Sequence, residues 1–324
     1  MKLFHTPRIS IVIPCFNEND NITPFFDALD TMAESLSRYN FEFVYVDDGS
    51  IDSTLTTLQE IAKRDKRVKV IRFSRNFGKE MATTAGIRQA TGDAIILMDA
   101  DGQHPVTSIP AFLAHWKSGT QVVIGVRSNA HKGFLKNISS KIFYRLFNTH
   151  ADQELLPGST DFRLIDRVVQ QEFIKLTEHS RITRGLIDWL GFRREYVYFD
   201  IAERGAGDAS YSFNKLAGLA LNSFVSLSLK PLYVLAYLGA SALILSIVLA
   251  VFSAVEMLIG DPLGLDITGT AYLVMLVLFL VGVILITQGV LALYISHIHT
   301  ESKNRPLFVI DQGASRGIQA KERA

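Results

Sequence analysis

Short apolar runs and amphipathic stretches alternate along the first 126 residues of the chain. The apolar runs, rich in Val and Ile, predict strands at 9–14, 41–47, 68–73, 94–98 and 121–126. The stretches between them predict helices at 24–39, 53–66, 78–90 and 110–117, the first opening with Thr23 as N-cap and Pro24 as first helical residue. Strands that alternate with helices in this way are typical of a mostly parallel sheet covered on both faces. We therefore predict an α/β fold with a Rossmann-like sheet.

Polar side chains follow four of these predicted strands. They are Asn17 and Glu18 after the first strand, Asp47 and Asp48 after the second, Arg75 after the third, and Asp99 and Asp101 after the fourth. Because ligands of such sheets bind beyond the carboxyl ends of the strands, we expect these loops to form one site. Loops between strands and helices are polar in any case, but two acidic pairs and an arginine at one edge favour a binding site.

Asp99 and Asp101 are the candidates for holding a metal ion. Two carboxylates on alternate residues at the end of a buried strand can converge on a hard divalent cation, which substrate phosphates often complete. Oxygen ligands accept either Mg²⁺ or Mn²⁺. The alternative, in which one aspartate only caps the next helix, is weakened by the other charged strand ends.

Two long uncharged stretches lie in the last third of the chain, at 232–255 and 267–296. Each exceeds the roughly 20 apolar residues that cross a bilayer, and neither has the polar face of a buried core helix. The link between them, 256–266, contains no Lys or Arg, whereas both outer flanks do. The positive-inside rule therefore predicts a multi-pass protein of the inner (cytoplasmic) membrane with both termini in the cytoplasm.

Two amphipathic segments precede the predicted spans. Residues 134–147 have a basic polar face, which suits either a membrane interface or a helix packed on the core with a solvated basic side. Residues 212–230 predict a juxtamembrane helix that rests the catalytic part on the bilayer. The tail after Phe308 is rich in Gly, Lys and Arg, and we expect it to be frayed.

Charge and cysteine content narrow the classes of function. The formal net charge of +1 at pH 7 gives no reason to expect a nucleic-acid partner. The single cysteine, Cys15, excludes an internal disulfide and fits a reducing compartment. Because it follows Pro14 at the end of a predicted strand, we expect a buried structural thiol and not a nucleophile.

Four motifs resemble glycosyltransferase family 2. They are IVIPCFNE at 11–18, VDDGS at 46–50, RNFGK at 75–79 and DADGQHP at 99–105. More narrowly, the chain is similar to the polyprenyl-phosphate glycosyltransferases, which include dolichol-phosphate mannose synthases and bacterial undecaprenyl-phosphate glucosyltransferases. The two spans followed by ESKNRP at 301–306 match the bacterial subgroup. The resemblance implies a GT-A type cytoplasmic domain at 1–211, a juxtamembrane helix at 212–230, two transmembrane helices at 231–298 and a cytoplasmic tail at 299–324.

The resemblance also implies a reaction. One sugar moves, with inversion and with a divalent metal, from a nucleotide-sugar donor to undecaprenyl phosphate. The resemblance also favours a homo-oligomer, such as a tetramer. Glucose from UDP-glucose is our first expectation, with N-acetylhexosamine, mannose or a modified pentose as alternatives. A processive synthase is disfavoured because neither Trp116 nor Trp189 lies in a Gln/Arg-x-x-Arg-Trp motif. A nucleotide-sugar-binding scaffold without turnover is the other alternative.

Individual roles follow from the same resemblance. The predicted nucleoside pocket contains Pro14, Asn17, Glu18 and Asp47. Asp99 and Asp101 lie at the ribose, diphosphate and metal, with Gln103 close by, and Arg127 lies near the phosphates. The predicted donor-binding set also includes three residues of the same motifs, Asp48, Arg75 and Lys79. Asp101 is the expected direct metal ligand. Asp161 matches the proposed base position, and Arg204 matches a basic residue near the acceptor phosphate.

Two of these roles stay open. A phosphate monoester is mostly dianionic at neutral pH, so Asp161 would orient the acceptor or support positive charge on the sugar at least as much as remove a proton. The family commonly reads Gly-Glu-Ser-Lys-Tyr where this chain has Gly-Asp-Ala-Ser-Tyr, which puts Ser210 at the usual Lys. Either Lys215 or Arg204 then compensates, or the acceptor phosphate is held differently.

Overall fold

The computed structural model describes residues 6–128, 158–179, 181–200, 269–303 and 305–318, with isolated helical positions between 237 and 259. The chain forms two compact units. The first comprises Met1–Asn148, Gln153–Ala209 and Arg305–Ala324, and the second comprises Thr149–Asp152 and Ser210–Asn304. The predicted helices at 134–147 and 212–230, together with Arg204 and Ser210, lie outside the described residues.

The first unit contains one seven-stranded sheet in the order β3-β2-β1-β4-β6-β5-β7. The strands are β1 Arg8–Cys15, β2 Asn40–Asp47, β3 Val68–Arg72, β4 Ala94–Leu97, β5 Val122–Arg127, β6 Ser159–Asp166 and β7 Arg194–Phe199. The helices are α1 Asn19–Ser35, α2 Thr54–Arg64, α3 Lys79–Gln89, α4 Ile109–Lys117, α5 Arg167–Lys175 and α6 Thr183–Trp189, with a 3-10 turn at Val106–Ser108.

The predicted α/β fold with a mostly parallel sheet is confirmed. β1 runs parallel to β2 and β4, β2 to β3, and β5 to β7, while β6 is antiparallel to both of its neighbours, β4 and β5. Alternate residues of the central strands point to opposite faces and are buried on both, as in β1, where Ile11 and Val12 belong to separate cores. Cys15 is buried at the end of β1, as predicted, and burial raises the pKa of its thiol well above its ordinary value.

The predicted start of the first helix was wrong. α1 begins at Asn19, so Pro24 lies inside it and not at its first position. The carbonyl of Glu18 accepts hydrogen bonds from the N–H groups of Asn21 at 2.9 Å and Ile22 at 3.1 Å, so the first turn is closed before the proline is reached. Pro24 then removes only the one backbone hydrogen bond that its missing N–H would make.

The expected fraying of the tail after Phe308 was also wrong. Residues 309–316 lie along β3, which is an edge strand of the sheet, and form isolated bridges from Val70 to Arg316 and from Phe73 to Ile310. Phe308, Ile310 and Ile318 pack against the core. The edge strand offers unpaired backbone groups, and these apolar side chains stabilise the segment that pairs with them.

The second unit contains α7, Gly269–Ser302, which covers the second predicted span at 267–296. Its window Phe279–Ser296 is long and apolar enough to cross a membrane, and it is the one such helix in the part of the chain that the structure describes. The first predicted span, 232–255, lies outside the described residues except for isolated helical positions.

Candidate active site

The carboxyl ends of the parallel strands β1, β2, β3 and β4 meet at one edge of the sheet. Because β6 is antiparallel to β4, the beginning of β6 lies at this same edge. The pairing of Leu97 with Arg163 fixes the register of these two strands. Continuing this register by two residues brings Asp99, after β4, opposite Asp161 in β6. The fold therefore unites two carboxylates that lie far apart in the sequence.

Lys79, the first residue of α3, lies between these two carboxylates. Its Nζ is 2.7 Å from Asp99 Oδ1 and 3.0 Å from Asp161 Oδ2. Burial alone would lower the pKa of Lys79, but the two carboxylates outweigh it and raise that pKa, so the ammonium stays charged. The ammonium offsets the repulsion between Asp99 and Asp161 and fixes both side chains.

Asp161 is held in its ionised form. Burial alone would raise the pKa of Asp161, but Lys79 and Arg184 outweigh it and hold this pKa below its ordinary value. Arg163, two residues along β6, contributes in the same direction. A carboxylate that stays negative suits contact with a positively charged group and makes a poor proton acceptor.

His104 fixes the backbone at Asp99. The N–H of Asp99 donates to His104 Nδ1 at 3.1 Å, and the buried imidazole stacks on Phe162 with ring centroids 5.1 Å apart. Burial lowers the pKa of His104, so the ring is neutral and Nδ1 can accept. His104 lies within the motif at 99–105, but sequence reasoning gave it no role.

Asp99 and Asp101, the predicted ligands of a hard cation, lie on the loop that follows β4. Asp101 Oδ1 accepts the N–H of Gln103 at 3.0 Å, which fixes the loop and leaves the carboxylate half-exposed at the crevice. Within the described ranges, no group of three or more His, Cys, Asp or Glu residues is arranged to hold a metal ion. Mg²⁺ commonly takes one or two carboxylates and completes its shell with substrate phosphates and water, so Asp101 suits such an ion. Both oxygens of Asp99 bind Lys79 Nζ, at 2.7 and 2.8 Å.

The loops after β1 and β2 are tied together through Asn17. The N–H of Asn17 donates to Ser50 Oγ at 2.9 Å, and its Oδ1 accepts the N–H of Ile51 at 3.0 Å. Asn17 has φ of 55°, a left-handed conformation that asparagine tolerates better than most residues. Pro14 lies near the end of β1 and Glu18 on the loop that follows, and the N–H of Glu18 donates to Thr54 Oγ1 at 2.9 Å. This wall of the crevice is therefore rigid.

Asp47, the last residue of β2, and Asp48, which follows it, bind the loops that line the crevice. Asp47 is fully buried, accepts the N–H of Ser50 at 3.0 Å and pairs with the guanidinium of Arg72. Asp48 accepts the N–H groups of Phe77 at 2.7 Å and Gly78 at 2.8 Å, and burial raises its pKa. Both carboxylates therefore hold the loops that line the predicted pocket.

Gly49 allows the loops after β2 and β3 to touch. Its φ is +74°, and a Cβ at this position would lie 2.5 Å from the carbonyl carbon of Arg75 and 2.6 Å from the nitrogen of Asn76. Only glycine fits so close a backbone approach. The contact fixes the loop that carries Arg75, whose exposed guanidinium lies 3.9 Å from the ring centroid of Phe77.

Three arginines lie near the β6 side of the crevice. Arg127 ends β5 at the same edge as β4, and its buried Nε has no hydrogen-bond partner among the described residues. Arg163 is fully buried, pairs with Asp188 at 2.8 Å and donates to the carbonyl of Arg184 at 3.2 Å. Arg184 is exposed. Sequence reasoning missed Arg184, because nothing in the local pattern indicates that α6 lies beside β6.

The comparisons with known proteins agree with this geometry. The family model described as "Glycosyl transferase family 2" matches residues 10–173. The chain is 35% identical over 304 residues to the putative glycosyltransferase CsbB of Bacillus subtilis (strain 168), covering 94% of this chain and 91% of that protein. It is 36% identical over 305 residues to the bactoprenol glucosyl transferase of Shigella phage SfV, covering 94% and 98%.

A solved structure supports the fold alone. Mannosyl-3-phosphoglycerate synthase from Rubrobacter xylanophilus superposes with a TM-score of 0.50 at 16% sequence identity, covering 67% of this chain and 71% of that one.

Proposed function

Since the chain belongs to glycosyl transferase family 2 and is a glycosyltransferase, we propose that it transfers a single sugar, with inversion, from a nucleotide-sugar donor to undecaprenyl phosphate. The similarity to a bactoprenol glucosyl transferase along 94% of the chain supports a prenyl phosphate acceptor and makes UDP-glucose the first donor to test. The observation that carries the proposal is the convergence of Asp99 and Asp161 on Lys79. This arrangement unites the donor side and the acceptor side of the crevice.

The donor would lie along the loops after β1, β2 and β4. Its departure builds negative charge on a nucleoside diphosphate, and Asp101 with Asp99 would hold the Mg²⁺ or Mn²⁺ that neutralises this charge. Lys79 fixes Asp99 from the side of α3. Arg127, whose Nε has no hydrogen-bond partner among the described residues, would be a further cation for the diphosphate.

The acceptor would lie on the side of Asp161. A phosphate monoester is mostly dianionic at neutral pH and hardly needs a base. Asp161, kept ionised by its neighbours, would instead support the positive charge that develops on the sugar. Holding both substrates in one crevice makes their encounter effectively unimolecular, which is a large share of the rate that such an enzyme gains.

Arg184 is our candidate anchor for the acceptor phosphate, beside the predicted Arg204. We expect Arg184→Ala to raise the KM for the acceptor about tenfold, since a hydrogen bond to a charged group contributes about 1.5–3 kcal/mol, and to leave the donor KM unchanged. Arg193→Ala, which removes an exposed arginine elsewhere in the first unit, is the matched control. Steady-state kinetics with each substrate varied in turn checks this; a rise in donor KM alone would refute the role.

The connectivity of the first unit supports two membrane spans. Residues before 200 and after 305 belong to the same folded unit, because 309–316 pair with β3. A chain that leaves a domain and rejoins it crosses a membrane an even number of times. If α7 is a span, another crossing must lie between residues 200 and 269. The positive flanks then favour both termini in the cytoplasm.

Cysteine labelling tests this topology. Since Cys15 is buried, an introduced cysteine can be followed against a silent background. We expect a membrane-impermeant maleimide to label Leu263→Cys in intact spheroplasts and to label Gln312→Cys only after lysis. Labelling of Gln312→Cys from outside, or of neither variant before lysis, would contradict two spans with cytoplasmic termini.

The proposed reaction is tested with membranes that contain the protein. Radiolabelled UDP-glucose and undecaprenyl phosphate are added, and the label is followed. Label in an organic-extractable, mild-acid-labile product supports lipid transfer. Label in a polymer supports a processive synthase, and bound nucleotide without product supports a scaffold. A panel of GDP-mannose, UDP-N-acetylglucosamine and a UDP-pentose identifies the donor if UDP-glucose fails.

A further inference from the structure

The C-terminal segment 305–318 lies outside the residues that match the family model, yet it belongs to the same folded unit as the crevice and forms isolated bridges with the edge strand β3. We infer that this segment is a working part of the donor pocket, in which Ser315 and Phe308 are positioning residues for nucleotide binding. The inference rests on the proposed function, since it takes the crevice beside β1 and β2 to be the place where the donor nucleotide binds.

The first line of evidence is the way the segment holds Arg72. The N–H of Arg72 donates to Ser315 Oγ at 2.9 Å, and its carbonyl accepts the N–H of Asp311 at 2.7 Å. Both backbone polar groups of Arg72, its N–H and its carbonyl, are therefore bound by the tail. Earlier in β3, Val70 exchanges two backbone hydrogen bonds with Arg316, at 2.9 and 2.8 Å.

Arg72 connects the tail to the loop after β2. Its guanidinium pairs with the buried carboxylate of Asp47 and donates to the carbonyl of Ser50 at 2.9 Å. Ser50 in turn accepts the N–H of Asn17. The tail thus supports both loops that form the predicted nucleoside pocket, through a chain of direct hydrogen bonds.

The second line of evidence is a series of contacts between aromatic rings. Phe308 stacks on the fully buried Phe73 with ring centroids 5.0 Å apart and an interplanar angle of 15°. Phe73 meets Phe77 edge to face at 5.6 Å. The N–H of Phe77 is bound by Asp48, and Arg75 lies over its ring. Phe308 therefore supports the loop that leads from β3 to Lys79.

Together these contacts make the walls of the donor pocket dependent on residues more than 220 positions further along the chain. Side-chain positions in a binding site must be held closely, because small displacements reduce binding and rate by one to two orders of magnitude. Loss of the tail contacts should therefore loosen nucleotide binding more than it slows transfer at saturating donor.

The test measures binding of UDP to the purified full-length protein in the presence of Mg²⁺, with GDP as a second probe. We expect Phe308→Ala and Ser315→Ala each to raise the dissociation constant and the donor KM about tenfold, with kcat reduced less than threefold. Val309→Ala is the matched control, because Val309 is exposed and its carbonyl bond to Ser74 survives the substitution. Phe308→Tyr keeps the stacked ring and should restore binding.

The outcomes separate this inference from the proposed function. A wild-type protein that binds neither nucleotide overturns the donor assignment and this inference with it. Wild-type binding with unchanged dissociation constants in Phe308→Ala and Ser315→Ala overturns the inference alone. If Phe308→Ala does not fold, Ser315→Ala still decides the question. A fall in kcat with unchanged donor KM in Ser315→Ala would overturn the inference, because it would indicate that the tail has a purely structural role.

Discussion

Asp101→Ala is expected to abolish sugar transfer while the protein still inserts into the membrane. Asp101 is half-exposed and is the expected ligand of the cation on the donor diphosphate, so its loss should reduce turnover about 10³-fold, by analogy with the removal of other transition-state charge stabilisers. The fold should survive, because the side chain lies outside the core and its described hydrogen bond is the local one from Gln103.

Initial rates of lipid-linked sugar formation check this prediction. The amount of protein in the membrane fraction is measured in parallel, so that a loss of activity is not confused with a loss of protein. Glu60→Ala removes an exposed carboxylate on α2 and should behave like the wild type. Turnover near the wild-type rate in Asp101→Ala would overturn the assignment of the metal site.

Asp161→Asn has the second-largest expected effect. The substitution keeps the size of the side chain and removes the charge that faces Lys79 and Arg184. If Asp161 supports positive charge on the sugar in the transition state, kcat should fall roughly 10²–10³-fold with the donor KM within about twofold. The lost charge should also loosen Lys79, although the second carboxylate, Asp99, still holds it.

Steady-state kinetics with the donor varied at saturating acceptor measures this split between kcat and KM. Thermal unfolding of the purified variant shows whether the fold is retained. If the variant loses donor binding with kcat unchanged, Asp161 belongs in the nucleotide pocket, and the division of the crevice into donor and acceptor sides is wrong.

The first five strands, β1 to β5, could be predicted to within about a residue, whereas β6 and β7 were not predicted. β1 and β2 are buried on both faces and read as continuous apolar runs, and the polar residues after them mark where each run ends. Parallel strands release their loops at one edge, so the sequence alone places Asn17, Asp47 and Asp99 at the same edge of the sheet. The start of α1 could not, because the hydrogen bonds of its first turn depend on tertiary contacts of Glu18.

The relation between Asp99 and Asp161 could not be predicted from local pattern. It depends on the antiparallel register in which Leu97 pairs with Arg163, and periodicity within a strand does not specify its partner. The contacts of Lys79 with both carboxylates depend on that register. Family resemblance alone indicated that Asp161 matters.

The tail illustrates the same limit over a longer distance. Apolar residues at alternate positions 308 and 310 are compatible with a strand, but the Gly, Lys and Arg around them favoured a frayed end. What orders the segment is the free edge of β3, to which sequence reasoning had no access. Contacts such as Gln59 Nε2 to the carbonyl of Ala314, 2.7 Å across 255 residues, belong to the folded chain only.

The most direct test of the account is the stoichiometry of the reaction with purified protein in vesicles that contain undecaprenyl phosphate. With labelled UDP-glucose and Mg²⁺, we predict one UDP released for each glucose recovered in the organic phase, and neither product with Asp101→Ala. Nucleoside diphosphate released without lipid-linked sugar, from any donor of the panel, would identify a hydrolase and contradict the claim that this crevice joins a sugar donor to a lipid phosphate.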